Sequence, residues 1–161
     1  MLPLDDKTIR GAFINASRKE LSDLSLPDLD AVDWDALDYL GWRDRRIARR
    51  AYVVIPTDDG PVGILLRQAE ASYRTRAQCA LCQDVTLPNE VVFYSAKRPG
   101  PAGRNGDTVG TLICADFQCS ANVRKPPPPA YLGFDIEAAR QERMASLRTR
   151  IANLARSLVE G

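Results

Sequence analysis

Apolar side chains at Ile9, Phe13, Ala16 and Leu21 recur at roughly helical spacing, which predicts an amphipathic helix over residues 7–24, with Asp5 and Asp6 at its electropositive start. Leu26-Pro27-Asp28 interrupts it. Residues 33–42 then read as a short helical turn ending near Gly41, with Trp34, Leu37 and Leu40 turned inward and the aspartates facing water. The pattern changes at 51–56 and 62–66, two apolar, β-branched runs flanking Asp58-Asp59-Gly60-Pro61, and this predicts an antiparallel hairpin. Further strands are predicted at 90–97 and 108–113, joined by a glycine-rich stretch, 98–107, that reads as a loop or long hairpin tip. A short helix follows Cys119 as far as Arg124. Pro126-Pro127-Pro128-Pro129 ends it as an extended spacer. From Asp135, a plausible N-cap, Ile136, Leu147, Ile151, Leu154 and Leu158 form a stripe on a long charged helix that suits docking on its own chain better than pairing with another. Trp34 and Trp42 read as core residues for the company they keep.

These elements place the chain in the α+β class. An antiparallel sheet merges into a four-cysteine finger, with N-terminal helices and a long C-terminal helix. The expected organisation is one α+β domain over 1–125, holding the finger at about 74–125, then a proline-rich spacer, 126–134, and the helix 135–161. Composition narrows the picture further. The 161 residues, 45% hydrophobic and 27% charged, are those of an ordinary globular protein. No apolar run is long enough to span a bilayer and the first residues lack a signal peptide's features, so a cytoplasmic location is expected. The net charge of +1 argues against a dedicated nonspecific DNA binder. It is unevenly spread, with 4 Lys and Arg against 9 Asp and Glu in residues 1–42.

The chemistry is concentrated in the cysteines. Cys79-Ala80-Leu81-Cys82 has the spacing of a zinc knuckle, and Cys114 and Cys119 follow after 31 intervening residues. Residues five apart on one helix diverge around its axis, so Cys114 is expected to end a strand and Cys119 to return from the first turns of a helix beginning near 115–116. Knuckle, hairpin and helix start occur in the order of a treble-clef finger. Four thiolates fill a tetrahedral shell and leave no position for a catalytic water, so one structural Zn²⁺ is expected; iron or iron–sulfur centres, buried thiols and disulfides are the alternatives. Arg74, Arg76, Lys97, Arg98 and Arg124 are sequence neighbours able to offset the charge of such a centre. The chain has no histidine, which removes the commonest general base and the usual Ser-His and Cys-His pairs. The expectation is a binding protein rather than an enzyme, with no small-molecule substrate and no membrane partner.

Beyond the metal, Phe93 and Tyr94 sit on one strand with only one able to face outward, and that one is a candidate anchor. Lys97, Arg98 and Arg104 on the glycine-rich segment, with Arg124 beyond, complete the candidate partner contacts, against the simpler reading of an exposed tip. The spacing of Gly100, Gly103 and Gly106 is no nucleotide fingerprint, since a strand follows. The basic run 43–50 is read chiefly as a solvated surface, with RNA contact as its functional alternative.

The run Val109-Gly110-Thr111-Leu112-Ile113-Cys114-Ala115-Asp116-Phe117-Gln118-Cys119-Ser120, together with the knuckle, resembles the elongation-factor-G-binding family with a C-terminal treble-clef zinc finger, to which the FusB-type fusidic acid resistance proteins belong. Further resemblance lies in residues 9–17, in Leu40-Gly41-Trp42-Arg43-Asp44 and in Pro61-Val62-Gly63-Ile64, so that it covers most of 5–125. The resemblance implies a protein that binds the translocase elongation factor G through its finger and promotes release of the factor from the ribosome, without turnover. Resistance proteins of this type carry a separate N-terminal helical bundle, so this chain reads as a short stand-alone form, with spacer and C-terminal helix particular to its branch. The alternative is a module that grips the ribosome or ribosomal RNA directly, in which case affinity falls steeply with salt.

Overall fold

A computed structural model describes residues 1–70, 77–85 and 89–160. Five strands form one antiparallel meander in chain order: β1 (Leu40–Arg43), β2 (Arg50–Thr57), β3 (Gly60–Gln68), β4 (Val91–Lys97) and β5 (Thr108–Cys114). In the central hairpin Val53 faces Ile64 and Ile55 faces Val62, and every residue from Ala51 to Ile55 is buried. Alternate residues of a strand point to opposite sides, so burial of five in a row means that both faces of the sheet are covered. On one face Ala51, Val53 and Ile55 join Ile64, Leu66, Tyr94 and Ile113 in a core shared with the four cysteines and the C-terminal helices. On the other, Tyr52, Val54 and Leu65 pack under the N-terminal segment.

That segment departs from the helix expected over 7–24. It forms two short helices, α1 (Asp6–Ala12), capped by the Asp5 carboxylate, and α2 (Arg18–Ser22), opened by a capping box between Ser17 and Glu20. Between them the backbone runs extended beside β3, where Phe13 bridges Gly63 and the Ile14 N–H donates to the Gly63 carbonyl at 3.0 Å. The Asn15 amide explains the break. Its Nδ2 donates to the Leu65 and Lys97 carbonyls, both at 3.0 Å, and its Oδ1 accepts from the Leu65 N–H at 2.8 Å. One side chain thus satisfies backbone groups of both β3 and β4, which a continuous helix would leave orphaned.

The helical turn expected at 33–42 is also corrected. Two 3₁₀ turns, Leu29–Ala31 and Trp34–Ala36, give way to strand β1, in which Gly41 pairs with Val53 rather than ending a helix. Trp42 lies opposite Tyr52, with ring centroids 5.1 Å apart, and its indole donates to the Ser25 carbonyl. These contacts reward the extended state. Gly41 must lack a side chain because a Cβ would lie 2.5 Å from the ring of Phe117. The segment joining β4 to β5 is likewise no simple loop but contains a one-turn helix, α3 (Gly100–Arg104), closed by the Arg98 N–H donating to the Asp107 carbonyl.

After Cys119, α4 (Cys119–Arg124) leads through the prolines to α5 (Ile136–Val159), whose N-cap is Asp135 as the sequence predicts. The stripe docks in cis: Leu147, Ile151, Ala155 and Leu158 are buried in the cysteine-containing core, while Ile136 lies exposed. Arginines on α5 reinforce this seat. Arg143 reaches Asp84 at 2.8 Å and the Asn122 and Lys125 carbonyls, and Arg150 donates to the Leu81 carbonyl. Arg124 of α4 and Arg148 of α5 converge on the buried Asp38 carboxylate, whose backbone N–H donates to Ser120 Oγ at 3.0 Å. Burial opposes ionisation of Asp38, but the hydrogen bonds from Arg124 and Arg148 outweigh it and hold its pKa below the usual carboxylate value. Among the described residues no helix is long and apolar enough to cross a membrane.

If α5 is part of the core, Leu147→Ala leaves a cavity beneath it and lowers stability by about 3 kcal/mol. Ile136→Ala, on the exposed first turn, changes it by less than about 0.5 kcal/mol. Denaturant midpoints of the metal-loaded chain distinguish the two.

Candidate metal centre

Local backbone geometry brings the first pair of cysteines together. The Gln83 N–H donates to the Cys79 carbonyl at 3.0 Å, closing the knuckle, and Gln83 takes a left-handed φ of 53°. The Ala80 N–H donates to the Leu112 carbonyl at 2.8 Å, which moors the knuckle to β5. The second pair arrives by a different route. Cys114 is the last residue of β5, opposite Val91, and the Ala115 N–H still bonds the Glu90 carbonyl. The chain then turns sharply, with the Phe117 N–H on the Cys114 carbonyl and Phe117 at φ 59°. A bulky residue in that region is strained, and burial is what holds it: the ring stacks on Tyr94, centroids 5.4 Å apart, above Gly41. Cys119 is the first residue of α4, so the helix begins at the ligand rather than at 115–116 as expected.

All four cysteines are free, buried and have their sulfurs within 4.8 Å of one another. Cys79 Sγ lies 3.6 Å from Cys119 Sγ, and Cys82 Sγ 3.7 Å from Cys114 Sγ. A zinc–sulfur bond of about 2.3 Å places tetrahedral thiolates about 3.8 Å apart, so the set fits a single ion. Disulfides need about 2.05 Å, and a multi-iron cluster would have to spread the sulfurs around bridging sulfides.

Ionisation is shared unequally among these sulfurs. Hydrogen bonds from Cys114 and Cys119 draw the Cys79 thiol down to about 7 and Cys82 lower still. Cys119 is pushed up, first by its bond with Cys114 and then by Cys79 and Cys82. Cys114, lowered by Cys119, is raised on balance by Cys79, Cys82 and burial. Four adjacent thiolates repel one another, and a divalent cation is the charge that lets all four ionise together. The residues therefore fit one structural zinc, which ties knuckle, strand end and helix start into a treble clef.

Of the cationic neighbours named from sequence, those among the described residues are engaged elsewhere or exposed. Arg74 and Arg76 lie outside the described residues. Arg98 donates to the Ser157 and Leu158 carbonyls at the end of α5, and Arg124 is held by Asp38. Lys97 and Arg104 are exposed at the two ends of the β4–α3 segment. Instead, Asn122 Nδ2 donates to Cys82 Sγ at 3.6 Å and Cys114 Sγ at 3.7 Å. The signal for it was available, because residue 122 lies one helical turn beyond Cys119, on the same face. Of the aromatic pair, Tyr94 is the inward one, with its hydroxyl donating to the Ala115 carbonyl at 2.9 Å, and Phe93 is half-buried on the opposite face with its ring over Gly110. In the basic run, Arg49 pairs with Glu70, Arg43 with Gln68 and Asp116, Arg50 with Glu20, and Arg46 with the Asp23 carbonyl.

Cys114→Ser or Cys119→Ser, or stripping the ion with a strong chelator, is expected to abolish fixed packing in the finger rather than to trim a rate. Elemental analysis showing one zinc per wild-type chain, with near-ultraviolet dichroism lost on its removal, is the check.

The family model of the FBP C-terminal treble-clef zinc finger matches residues 8–158. That span takes in the proline spacer and nearly all of α5. No curated protein and no solved structure gives a significant match. With the match spanning nearly all of the sequence and all four ligands in place, the chain belongs to the FBP C-terminal treble-clef zinc-finger family.

Proposed function

We propose that this chain binds the translocase elongation factor G and modulates how long the factor stays on the ribosome. The observation that carries the reading is the family match over 8–158 together with an intact, closed four-cysteine centre. The protein acts by association in the cytoplasm, without catalysis. A tetrathiolate shell has no open position for substrate, and the chain has no histidine to serve as a base. Its effect on the factor is a coupling of two binding equilibria. A partner that prefers the released conformation of the factor weakens the ribosome-bound one by the same ratio.

On the proposed contact surface Phe93 supplies the apolar anchor, and Lys97 and Arg104 supply charge near one end of the same strand. Tyr94, Arg98 and Arg124 contribute from behind, by fixing β4, the end of α5 and α4. Phe93 presses on Gly110 and stays partly open, the kind of aromatic that dominates interface energetics.

Titration of labelled elongation factor G with the zinc-loaded chain is expected to show binding at or below micromolar concentration. Phe93→Ala should weaken it by about tenfold or more. No binding at micromolar concentration sinks the proposal. Ribosome affinity that persists without the factor and falls steeply with salt supports direct RNA contact in its place.

A further inference from the structure

Pro128-Pro129-Ala130-Tyr131-Leu132 are five exposed residues in a row without a charged or amide side chain, Leu132 fully exposed and Tyr131 66% exposed. A surface keeps such an apolar run out of water unless something is to cover it. This one is also held in a fixed shape. The Phe134 N–H donates to the Tyr131 carbonyl at 3.1 Å and Gly133 takes a φ of 84°, the pattern of a type II turn with Leu132 at its apex. The rings of Tyr131 and Phe134 meet edge to face, centroids 5.3 Å apart. Both ends are moored. Arg143 donates to the Lys125 carbonyl ahead of the prolines, and the Asp135 carboxylate caps α5 directly after Phe134. The prolines stiffen what lies between. Among the described residues, no core cluster includes any of residues 126–134, so the turn has a defined shape without a part in packing.

We propose that this turn is a second docking element, in which Leu132 enters an apolar pocket on elongation factor G; the assignment rests on the factor being the partner. Charge around the turn selects a protein over the other surfaces that an apolar knob could meet. The carboxylates of Asp135, Glu137 and Glu142 outnumber the cations of Lys125 and Arg140, and anionic phospholipid and RNA phosphate are both repelled by such a rim. A preformed turn loses little freedom on binding, so more of its apolar area counts towards affinity. Its position matters as well. Arg98, next to Lys97, donates to the Ser157 and Leu158 carbonyls at the far end of α5, so the turn and the charged end of the proposed contact surface lie at opposite ends of a 24-residue helix, about 36 Å long. Two anchors held that far apart are filled together only in an arrangement of the partner that matches their spacing, which gives the chain a means of preferring one conformation of the factor.

Leu132→Ser alters a fully exposed side chain, so its denaturant midpoint should stay at the wild-type value. Titrated into labelled elongation factor G, the zinc-loaded Leu132→Ser chain is expected to bind about tenfold or more weakly than wild type. Leu2→Ser is the control, since it removes a leucine that is 83% exposed in the N-terminal segment, and it should bind as wild type does. Wild-type affinity in Leu132→Ser, or an equal loss in Leu2→Ser, overturns the second anchor and leaves the partner standing. A wild-type chain that does not bind the factor removes partner and anchor together. In sedimentation with phosphatidylglycerol vesicles all three chains are expected to stay in the supernatant. Wild-type chain that pellets, with Leu132→Ser left behind, assigns the turn to a lipid surface and overturns the protein pocket.

Discussion

Mutual repulsion among four sulfurs packed within 4.8 Å of one another is the constraint around which the C-terminal half of the molecule is arranged. Only a divalent cation turns that repulsion into attraction. Once it does, three pieces of chain that share no regular backbone pattern, a knuckle, a strand end and a helix start, are held together. The strained turn at Phe117 exists to serve this convergence. It lets the chain leave β5 at Cys114 and re-enter a helix at Cys119 with both sulfurs on one point.

The sheet transmits that order to the rest of the fold. Because β2 is covered on both faces, the N-terminal segment and the finger never meet over most of their extent, yet both press on the same strand. The exception is the stretch at Asp38 and Tyr39, which crosses from the N-terminal layer into the core of the finger. Asp38 binds α4 through its N–H and carboxylate and α5 through Arg148. Its folded pKa is depressed, so its contribution is complete above the unfolded carboxylate value of about 3.9 and is lost as pH falls through the folded one.

Local pattern made much of this legible. Cysteine spacing named the ligands, alternation and turn chemistry gave the central hairpin, and Asp135 marked the start of α5. What escaped was set by contacts between distant residues. The apolar spacing from Ile9 to Leu21 is genuinely helical, but Asn15 gains more by satisfying β3 and β4 than by continuing the turn. The capping box at Ser17 shows that the restart was written locally and outweighed by the longer period. Trp42 reads as helical only until Tyr52 is placed opposite it. In the metal centre, Asn122 lay within reach of helical arithmetic, one turn beyond Cys119 on the same face.

The mooring of the knuckle on β5 has a consequence for how the protein avoids its own copies. The meander has two open edges, and β1 is only four residues long, which offers little to an incoming strand. At the other edge is β5, longer and rich in β-formers, and there the Ala80 N–H already occupies the Leu112 carbonyl. The knuckle is thus a plug on the sticky side of the sheet. It stays seated only while its two sulfurs are anchored, so retention of the ion and resistance to strand-by-strand aggregation are one property.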